Sequence, residues 1–294
     1  MRMLNLSIDL GTANIVIVDN KNGVVLDEPS VIAYQVKNGQ KRLLAVGDDA
    51  KLMLGKTPES ILAIRPLSDG VIADFDAAQD MISAFFKKVL NNFAFRKPIV
   101  FVCVPYGATP VEKRTTEVAV LSLGGIVVAQ SIRVGGDHFD AAIAAFLKRK
   151  YNLNVGLATC EMLKFEIGTA TLPSDGVGRK TKVRGRHGVS GLPEEIEVTQ
   201  ADMAEALRPL VNNICEAVML LLEQTPPDLA GDIQEHGLVL TGGGAGLTGI
   251  DNALSDTTNL PAVVADNHKY CVAFGTQIAM NLGKRIEHAI QRDP

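Results

Sequence analysis

The sequence predicts an α/β protein built from two related halves, because two distant segments share a strand–turn–strand pattern. The first, residues 6–18, places Asp-Leu-Gly-Thr between two aliphatic runs, and the second, residues 115–128, repeats the pattern. A third segment, residues 238–246, is a short apolar run followed by a glycine-rich turn that opens a helix. In a chain of 294 residues, 47% of them hydrophobic, these patterns predict strands and helices around a well-buried core.

The turn in the first segment suits a phosphate group. Gly11 lets the backbone approach an anion closely because it has no Cβ, and the N–H groups of such a turn can face the anion. Asp9 can hold a water molecule bound to a metal ion. The alternative interpretation is that residues 9–14 form an ordinary hairpin turn.

The corresponding turn of the second segment has lost its glycine. When Thr115 is placed on Thr12, residues 112–114 (Glu-Lys-Arg) fall opposite residues 9–11 (Asp-Leu-Gly). A second Asp-x-Gly is expected there and is absent.

The preceding residues indicate the same irregularity independently. Thr109 suits a helix N-cap and Glu112 completes a capping box, yet this helix has only one turn before a β-branched run begins. Either a segment has been deleted between Arg114 and Thr115, or the sequence joins two pieces that were not contiguous. A natural short turn is the less favoured alternative.

Composition excludes several classes of protein. A net charge of −4 and a pI near 5.8 do not show the excess of basic residues that is typical of nucleic-acid-binding proteins. The apolar runs are far too short to span a membrane. Residues 1–4 are too short for a signal peptide, because the first strand follows at once. The four scattered cysteines, without a Cys-x-x-Cys pair, predict reduced thiols, and the five histidines lack ligand spacing for zinc.

The remaining elements follow from local patterns. A helical stripe of apolar residues predicts a long amphipathic helix over 74–93, and Thr199 with Asp202 predicts a capped helix over 199–224, which Pro209 should kink or break. The other predicted elements are, in chain order, a meander over 23–26 and 29–34, a turn at 38–39, a small helix over 47–54, a buried strand over 98–105, a strand ending at 134, a turn at 135–137, helices over 140–151 and 159–170, a stretch without clear periodicity over 172–193, strands over 195–198 and 259–264, and a closing helix over 272–290.

Taken in order, these segments resemble the MreB family of bacterial actin homologues, which set rod cell shape. Asp-x-Gly-Thr alone also fits sugar kinases and Hsp70-type chaperones, but its combination with the Asp-Gly-Val-Ile-Ala-Asp-Phe run does not. The resembling pieces cover nearly the whole chain and are residues 8–14, 28–31, 63–66, 69–75, 102–105, 116–120, 135–137, 226–230 and 240–245.

The resemblance implies an actin-like ATPase fold: two lobes of duplicated mixed-sheet, ribonuclease H-like domains around a nucleotide cleft. On this basis lobe I comprises residues 1–114 and 263–294, with a small subdomain at about 25–60. Lobe II comprises residues 115–262, with a small subdomain at about 152–224. The family continues past the Glu-Lys-Arg run for roughly 45 residues that this chain lacks, by usual crossover lengths. That stretch would carry Asp-x-Gly-Gly-Gly-Thr and the Glu that positions the attacking water.

The resemblance also implies a site for ATP and Mg²⁺. Asp9 would act in catalysis and orient the metal's water shell, and Thr115 would flank the γ-phosphate. The residues implied for nucleotide binding are Gly11, Thr12, Ala13 and Asn14 in the hairpin, Gly135, Gly136 and Asp137, Glu161 and Lys164, and Gly242, Gly243, Gly244, Ala245 and Gly246.

Simpler interpretations remain open for most of these residues. The glycines at 242–246 suit a flexible strand–helix link, residues 135–137 a β-turn, and Glu161 with Lys164 a solvated ion pair. Phe93 and Phe95 suit either a hydrophobic cap on the core or an apolar tip that enters a membrane interface beside Arg96 and Lys97.

The expected function is therefore an ATP-binding actin homologue of the cytoplasm that polymerises on the inner face of the cytoplasmic membrane. It would direct cell shape, with cell-wall elongation proteins as partners, and would not bind nucleic acid. Its ATPase would be slow, and badly impaired without the missing hairpin and Glu. The alternatives are a degenerate, non-hydrolysing scaffold of the same fold and an ATP-dependent enzyme of the sugar-kinase type.

Overall fold

The computed structural model describes residues 5–37, 39–68, 71–90, 99–103, 116–122 and 125–282. The chain separates into two compact units, Met1–Arg114 with Tyr270–Pro294, and Thr115–Lys269.

Strands and short helices dominate the first unit, whereas long helices dominate the second. The elements within the described residues are β1 (Asn5–Leu10), β2 (Asn14–Asp19), β3 (Gly23–Pro29), β4 (Ile32–Lys37), β5 (Gln40–Val46), α1 (Asp48–Lys51), β6 (Ile61–Ile64), β7 (Leu67–Ser68), β8 (Val71–Ile72), α2 (Phe75–Leu90), β9 (Ile99–Cys103), β10 (Thr116–Ser122), β11 (Gly125–Ile132), α3 (Gly136–Tyr151), β12 (Leu153–Asn154), α4 (Leu157–Ile167), β13 (Lys180–His187), β14 (Pro193–Thr199), α5 (Gln200–Glu223), α6 (Pro227–His236), β15 (Leu238–Leu240), a 3₁₀ turn (Gly243–Gly246), α7 (Ile250–Thr258), β16 (Ala262–Val264), a second 3₁₀ turn (His268–Tyr270) and α8 (Cys271–Leu282).

The main sheet of the first unit confirms the predicted first hairpin. Its strand order is β3-β2-β1-β9, with β1 antiparallel to β2 and parallel to β9. Successive side chains of a strand face opposite sides, so Ile15 and Ile17 join the core that contains Phe85 of α2, while Val16 and Val18 pack with Ala273 of α8. Helices on both faces bury β2 almost completely.

Two predictions for the first unit need correction. The meander does not continue in one sheet, because β3 pairs with β2 whereas β4 pairs with β5 and β6 in a separate sheet. The strand at β9 forms as expected but is not buried throughout: Phe101 is 38% exposed and Val102 46% exposed. β9 is the outer strand of its sheet, and residues 104–115 lie outside the described part of the chain.

The second unit is built around α3, α4, α5 and α7. Its core contains Phe146 and Leu147 of α3, Leu163 of α4 and Leu207 of α5. The predicted second hairpin is confirmed as the antiparallel pair β10 and β11, which form a two-stranded sheet of their own. Leu121 and Ile126 on this sheet are 70% and 51% exposed.

Three elements of the second unit differ from the prediction. α3 begins at Gly136, so residues 135–137 form a helix start and not a free turn. The stretch without periodicity contains β13, whose cations lie opposite glutamates of β14: Lys182 is in register with Glu197. α5 runs unbroken through Pro209, because the loss of one backbone N–H is offset by the packing of an apolar face along most of the helix.

The carboxylate of Asp202, at the start of α5, accepts hydrogen bonds from four donors. The capping box is present as predicted, with Thr199 N and Oγ1 donating to Asp202 Oδ2 at 2.8 and 3.0 Å. Tyr151 Oη donates to the same oxygen at 2.9 Å, and Lys150 Nζ donates to Oδ1 at 2.7 Å. Burial acts to raise the pKa of Asp202, but these donors outweigh it and lower the pKa below its usual value.

We predict that Asp202→Asn destabilises the protein by about 1–3 kcal/mol, because an amide cannot accept all four hydrogen bonds. Since the folded pKa is lowered, this stabilisation is present above the unfolded pKa of about 3.9 and is lost as the pH falls through the folded value. Urea denaturation of the two proteins between pH 7 and pH 3 measures the difference. Glu205→Gln, at an exposed partner of Lys150 3.3 Å away, serves as control; an equal loss in both variants would contradict the assignment.

Candidate functional site

The β1–β2 turn leaves no room for a side chain at Gly11. A Cβ placed there would lie 2.5 Å from the carbonyl oxygen of Asn14, so only glycine fits this backbone. Ser30, fully buried, braces the turn: its Oγ donates to Gly11 O at 2.6 Å and its backbone N–H donates to Ala13 O at 2.9 Å. These two hydrogen bonds therefore hold the turn from a distant position in the chain.

A carboxylate holds the far end of the same turn. Asn14 Nδ2 donates to Asp27 Oδ1 at 2.9 Å, and Tyr270 Oη donates to Asp27 Oδ2 at 2.8 Å. Sequence reasoning found Asn14 but missed Ser30, Asp27 and Tyr270, since such long-range contacts leave no local pattern.

Asp9 lies at the end of β1, opposite Val16 of β2 and Cys103 of β9. Burial raises the pKa of Asp9 above its usual value. Within the described part of the chain, no cation or hydrogen-bond donor is paired with this carboxylate. A half-buried carboxylate without a counter-charge is suited to a hydrated cation.

The start of α3 forms a second cluster. Lys164 of α4 places Nζ 2.8 Å from Asp140 Oδ1 and donates to Gly136 O at 3.1 Å. Asp140 is buried, and burial raises its pKa although the Lys164 ammonium acts in the opposite direction; the charge of Glu161 adds to the increase. Lys164 thus ties α4 to the glycine pair that opens α3, and its contact with Asp140 is one that the sequence did not reveal.

The third cluster is the glycine turn after β15. Gly242 has a φ of +84°, which favours glycine, and its backbone is paired with His268: Gly242 N donates to His268 O at 2.7 Å, and His268 Nδ1 donates to Gly242 O at 2.7 Å. Gly243 and Gly244 differ from it. Neither has a positive φ, and no described atom outside their own turn lies within 4 Å of a Cβ built on either residue.

The structure thus places the predicted residues in separate clusters of the two units. Residues 9–14 lie in the first unit, and residues 135–137, 161, 164 and 242–246 lie in the second. Thr115, Phe93 and Phe95 lie outside the described residues, so their roles stay predictions.

Comparison with known proteins decides the family. A family model described as MreB/Mbl protein matches residues 3–115 and 114–288. The chain belongs to the MreB/Mbl family. The resemblance inferred from the sequence is confirmed, and with it the actin-like α/β fold.

Three relatives match nearly the whole MreB/Mbl chain. The cell shape-determining protein MreB of Escherichia coli K12 is 43% identical, with 95% of this chain and 93% of the relative covered. The cell shape-determining protein Mbl of Bacillus subtilis 168 is 37% identical, with 94% and 96% covered. The structure of MreB5 of Spiroplasma citri bound to AMPPNP superposes with a TM-score of 0.88 at 33% identity, covering 98% and 99%; its ADP-bound structure gives 0.86 at 32% identity, covering 99% of both chains.

The comparison also locates the gap within this MreB/Mbl chain. The two matched stretches meet at residues 114–115, where the sequence predicts an interruption. The alignment with the E. coli relative spans 326 positions whereas the chain has 294 residues, so at least 32 positions have no counterpart here. The predicted internal gap between Arg114 and Thr115 is confirmed.

We predict opposite stability effects for two alanine substitutions at candidate glycines. Gly11→Ala forces a Cβ against Asn14 O and should cost about 1–3 kcal/mol. Gly244→Ala meets no described atom outside its own turn and should be neutral or stabilising by up to about 1 kcal/mol, because alanine restricts the unfolded chain. Denaturation of the ligand-free variants measures both; a large loss for Gly244→Ala would show that this glycine serves the fold.

Proposed function

We propose that this chain is a nucleotide-binding cytoskeletal protein that binds ATP and ADP, assembles with copies of itself into filaments at a membrane, and contributes to cell shape. Membership of the MreB/Mbl family supports the proposal, since the E. coli and B. subtilis relatives are named cell shape-determining proteins. The AMPPNP and ADP bound by S. citri MreB5 support an adenine nucleotide as the ligand.

The observation that carries nucleotide binding is the contrast among the glycines. Gly11 and Gly242 are required by the chain itself, through a close carbonyl and a positive φ. Gly243 and Gly244 satisfy no such requirement and face open space. Glycines that the fold does not need, at the end of a strand and the start of a helical turn, are expected where a ligand approaches the backbone.

Each unit contributes its own groups to this proposal. The β1–β2 turn, with residues 11–14, offers backbone N–H groups to the phosphates in a conformation fixed by Ser30 and Asp27. In the second unit, the start of α3 and the turn at 242–246 would contact the adenosine, with Lys164 holding Gly136 in place.

The residues around Asp9 fit Mg²⁺. This ion keeps several of its waters and takes few protein ligands, usually one or two carboxylates together with nucleotide phosphates. Asp9 supplies such a carboxylate, and Mg²⁺ would remove the cost that burial imposes on its charge. When bound, the ion would neutralise charge on the phosphates, and the Asp9 carboxylate would orient its water shell.

Hydrolysis is proposed to be weak or absent. The family's second phosphate hairpin and its water-positioning Glu fall in the gap at 114/115, and these groups supply the charge stabilisation that phosphoryl transfer needs. A non-hydrolysing scaffold is therefore the second candidate. An ATPase assay beside sedimentation separates the two: nucleotide-dependent pelleting without phosphate release supports the scaffold, and both activities together support a filament ATPase.

We predict that Asp9→Asn weakens binding of Mg–AMPPNP about tenfold or more, which corresponds to about 1.4 kcal/mol, because the cation loses its carboxylate. The same change should raise the denaturation midpoint of the ligand-free protein. Burial raises the Asp9 pKa, so the ionised side chain disfavours folding above that pKa, and an amide carries no such cost. Calorimetry and thermal denaturation measure the two effects.

The exposed Asp49→Asn in the same unit is the control for both measurements. Unchanged affinity for Mg–AMPPNP in Asp9→Asn would refute the assignment of Asp9, and absence of any nucleotide binding by the parent protein would refute the proposed function.

Membrane association is proposed through Phe93 and Phe95. We infer this contact by an apolar tip from the sequence alone. No helix among the described residues is long and apolar enough to cross a bilayer. Replacing both residues by Ser should reduce flotation with anionic liposomes, since burying each ring in lipid is worth on the order of 1.5–3 kcal/mol. Phe75→Ser, at a ring that is 68% exposed at the start of α2, is the matched control; equal flotation of parent and double variant would place binding elsewhere.

A further inference from the structure

The parallel pair β15–β16 of the second unit has one face in the core and the other in solvent. Leu238 and Leu240 of β15 and Ala262 of β16 pack against the core. Val239 and Val263 point to the opposite side, because successive side chains of a strand alternate, and they are 67% and 55% exposed. They are direct partners in the strand register, and we call them the outer valine pair. Parallel sheets are normally covered on both faces, so an exposed apolar pair on this one is unusual.

The antiparallel pair β10–β11 shows the same asymmetry. Val118 of β10 and Ile132 of β11 pack against the same core as β15 and β16. Ala119 and Leu121 of β10 alternate with the core-facing residues and are exposed. Both sheets of strands β10, β11, β15 and β16 therefore contact the core of the second unit with one face and present apolar side chains to solvent.

The main sheet of the first unit is covered on both faces. The second cover is α8, where Ala273 packs against Val16 and Val18 of β2. The buried hydroxyl of Ser7 in β1 also donates to Ala273 O at 3.0 Å. In chain order α8 comes after β16, the last strand of the second unit. The helix that follows the strands of the second half thus covers the sheet of the first.

The corresponding cover for the second unit is expected where the chain has its gap. If the two halves follow one pattern, a helix after the strands of the first half would cover the sheets of the second. That position lies between β9 and β10, and the gap at 114/115 falls there. The E. coli alignment spans 326 positions and the chain has 294 residues, so at least 32 positions are missing. This length accommodates a helix of 12 residues like α8 and a strand of six like β1.

We propose that the outer valine pair is a docking surface for an amphipathic helix supplied by a second, different polypeptide. This helix takes the place of the one that the gap removes, with branched apolar side chains against Val239 and Val263 and a polar face toward solvent. A second copy of this chain does not fit the role, because it has the same gap and its α8 packs on its own first unit. The inference depends on the exposed face and the gap, and not on nucleotide binding.

A peptide from a relative tests the docking surface directly. The peptide has the sequence of the E. coli MreB positions that have no counterpart in this chain, carries a fluorophore, and is titrated with the full chain in the absence of nucleotide. Fluorescence anisotropy should show saturable binding. A scrambled peptide of the same composition should bind at least tenfold more weakly, because it has no apolar stripe at helical spacing. Equal affinity for the two peptides, or no binding of either, would overturn the proposal.

Substitutions at the outer valine pair locate the contact. Val239→Asp/Val263→Asp should weaken peptide binding tenfold or more, since charge replaces apolar surface. Val239→Thr/Val263→Thr keeps the β-branched shape that suits a strand, and it should weaken binding about threefold or more; it decides the test if the aspartate variant does not fold. Val189→Asp is the matched control, at a valine that is 84% exposed between β13 and β14 of the same unit. Unchanged affinity in the threonine variant would refute docking at this face.

Sedimentation velocity of the parent protein and the threonine variant examines the other occupant of the face, a second copy of the chain. The proposal expects the same sedimentation coefficient for both proteins without peptide. A dimer of the parent that is lost in the threonine variant would show that the outer valine pair joins two copies, and would overturn the assignment to a different polypeptide.

Discussion

The carboxylate of Asp27 is the contact on which the first unit's part of the site depends. It accepts one hydrogen bond from Asn14 and another from Tyr270, so a single side chain fixes both the β1–β2 turn and the segment that starts α8. The turn has no side chain at Gly11 that could stabilise it, because a backbone carbonyl occupies the space where a Cβ would lie. In the second unit, side chains also hold the glycine turns: Lys164 donates to Gly136 O, and His268 donates to Gly242 O. In each case a side chain from a distant position sets the backbone that a ligand would contact, which is how a turn of small residues gains preorganisation.

This arrangement explains which parts could be predicted from the sequence. The β1–β2 hairpin, the α5 capping box and the glycine turn after β15 are local patterns, and each is where the sequence places it. β13 was not predicted as a strand, because every second residue in it is Lys or Arg, so the strand shows no clear apolar alternation. Its pairing with β14 can be recognised only from the strand register in the structure, where Arg184 Nε lies 2.7 Å from Glu195 Oε2.

The side chains that hold the turns of the candidate site also form no local sequence pattern, so they could not be predicted. Ser30, Asp27 and Asp140 are ordinary polar residues in sequence, and their roles arise from separations of 19, 13 and 24 residues in the chain to Gly11, Asn14 and Lys164. His268 and Tyr270 flank a single lysine, yet they contact residues 26 and 243 positions away in the chain. Motif reasoning identifies the groups that touch a ligand, because their chemistry restricts residue type. Supporting residues need only one donor or acceptor at the right place, which many residue types provide.

The strands on either side of the gap expose apolar side chains. Among the described strands, β9 is the outer one of its sheet and exposes Phe101 and Val102, and β10 with β11 form a two-stranded sheet that exposes Leu121 and Ile126. Apolar strand faces of this kind are normally covered, since open edges promote association with other chains. The gap leaves the described contacts of the turns at Gly11, Gly136 and Gly242 in place. The side chains that make these contacts lie before residue 114 or after residue 115. These turns are therefore held by residues that the chain retains on either side of position 114/115.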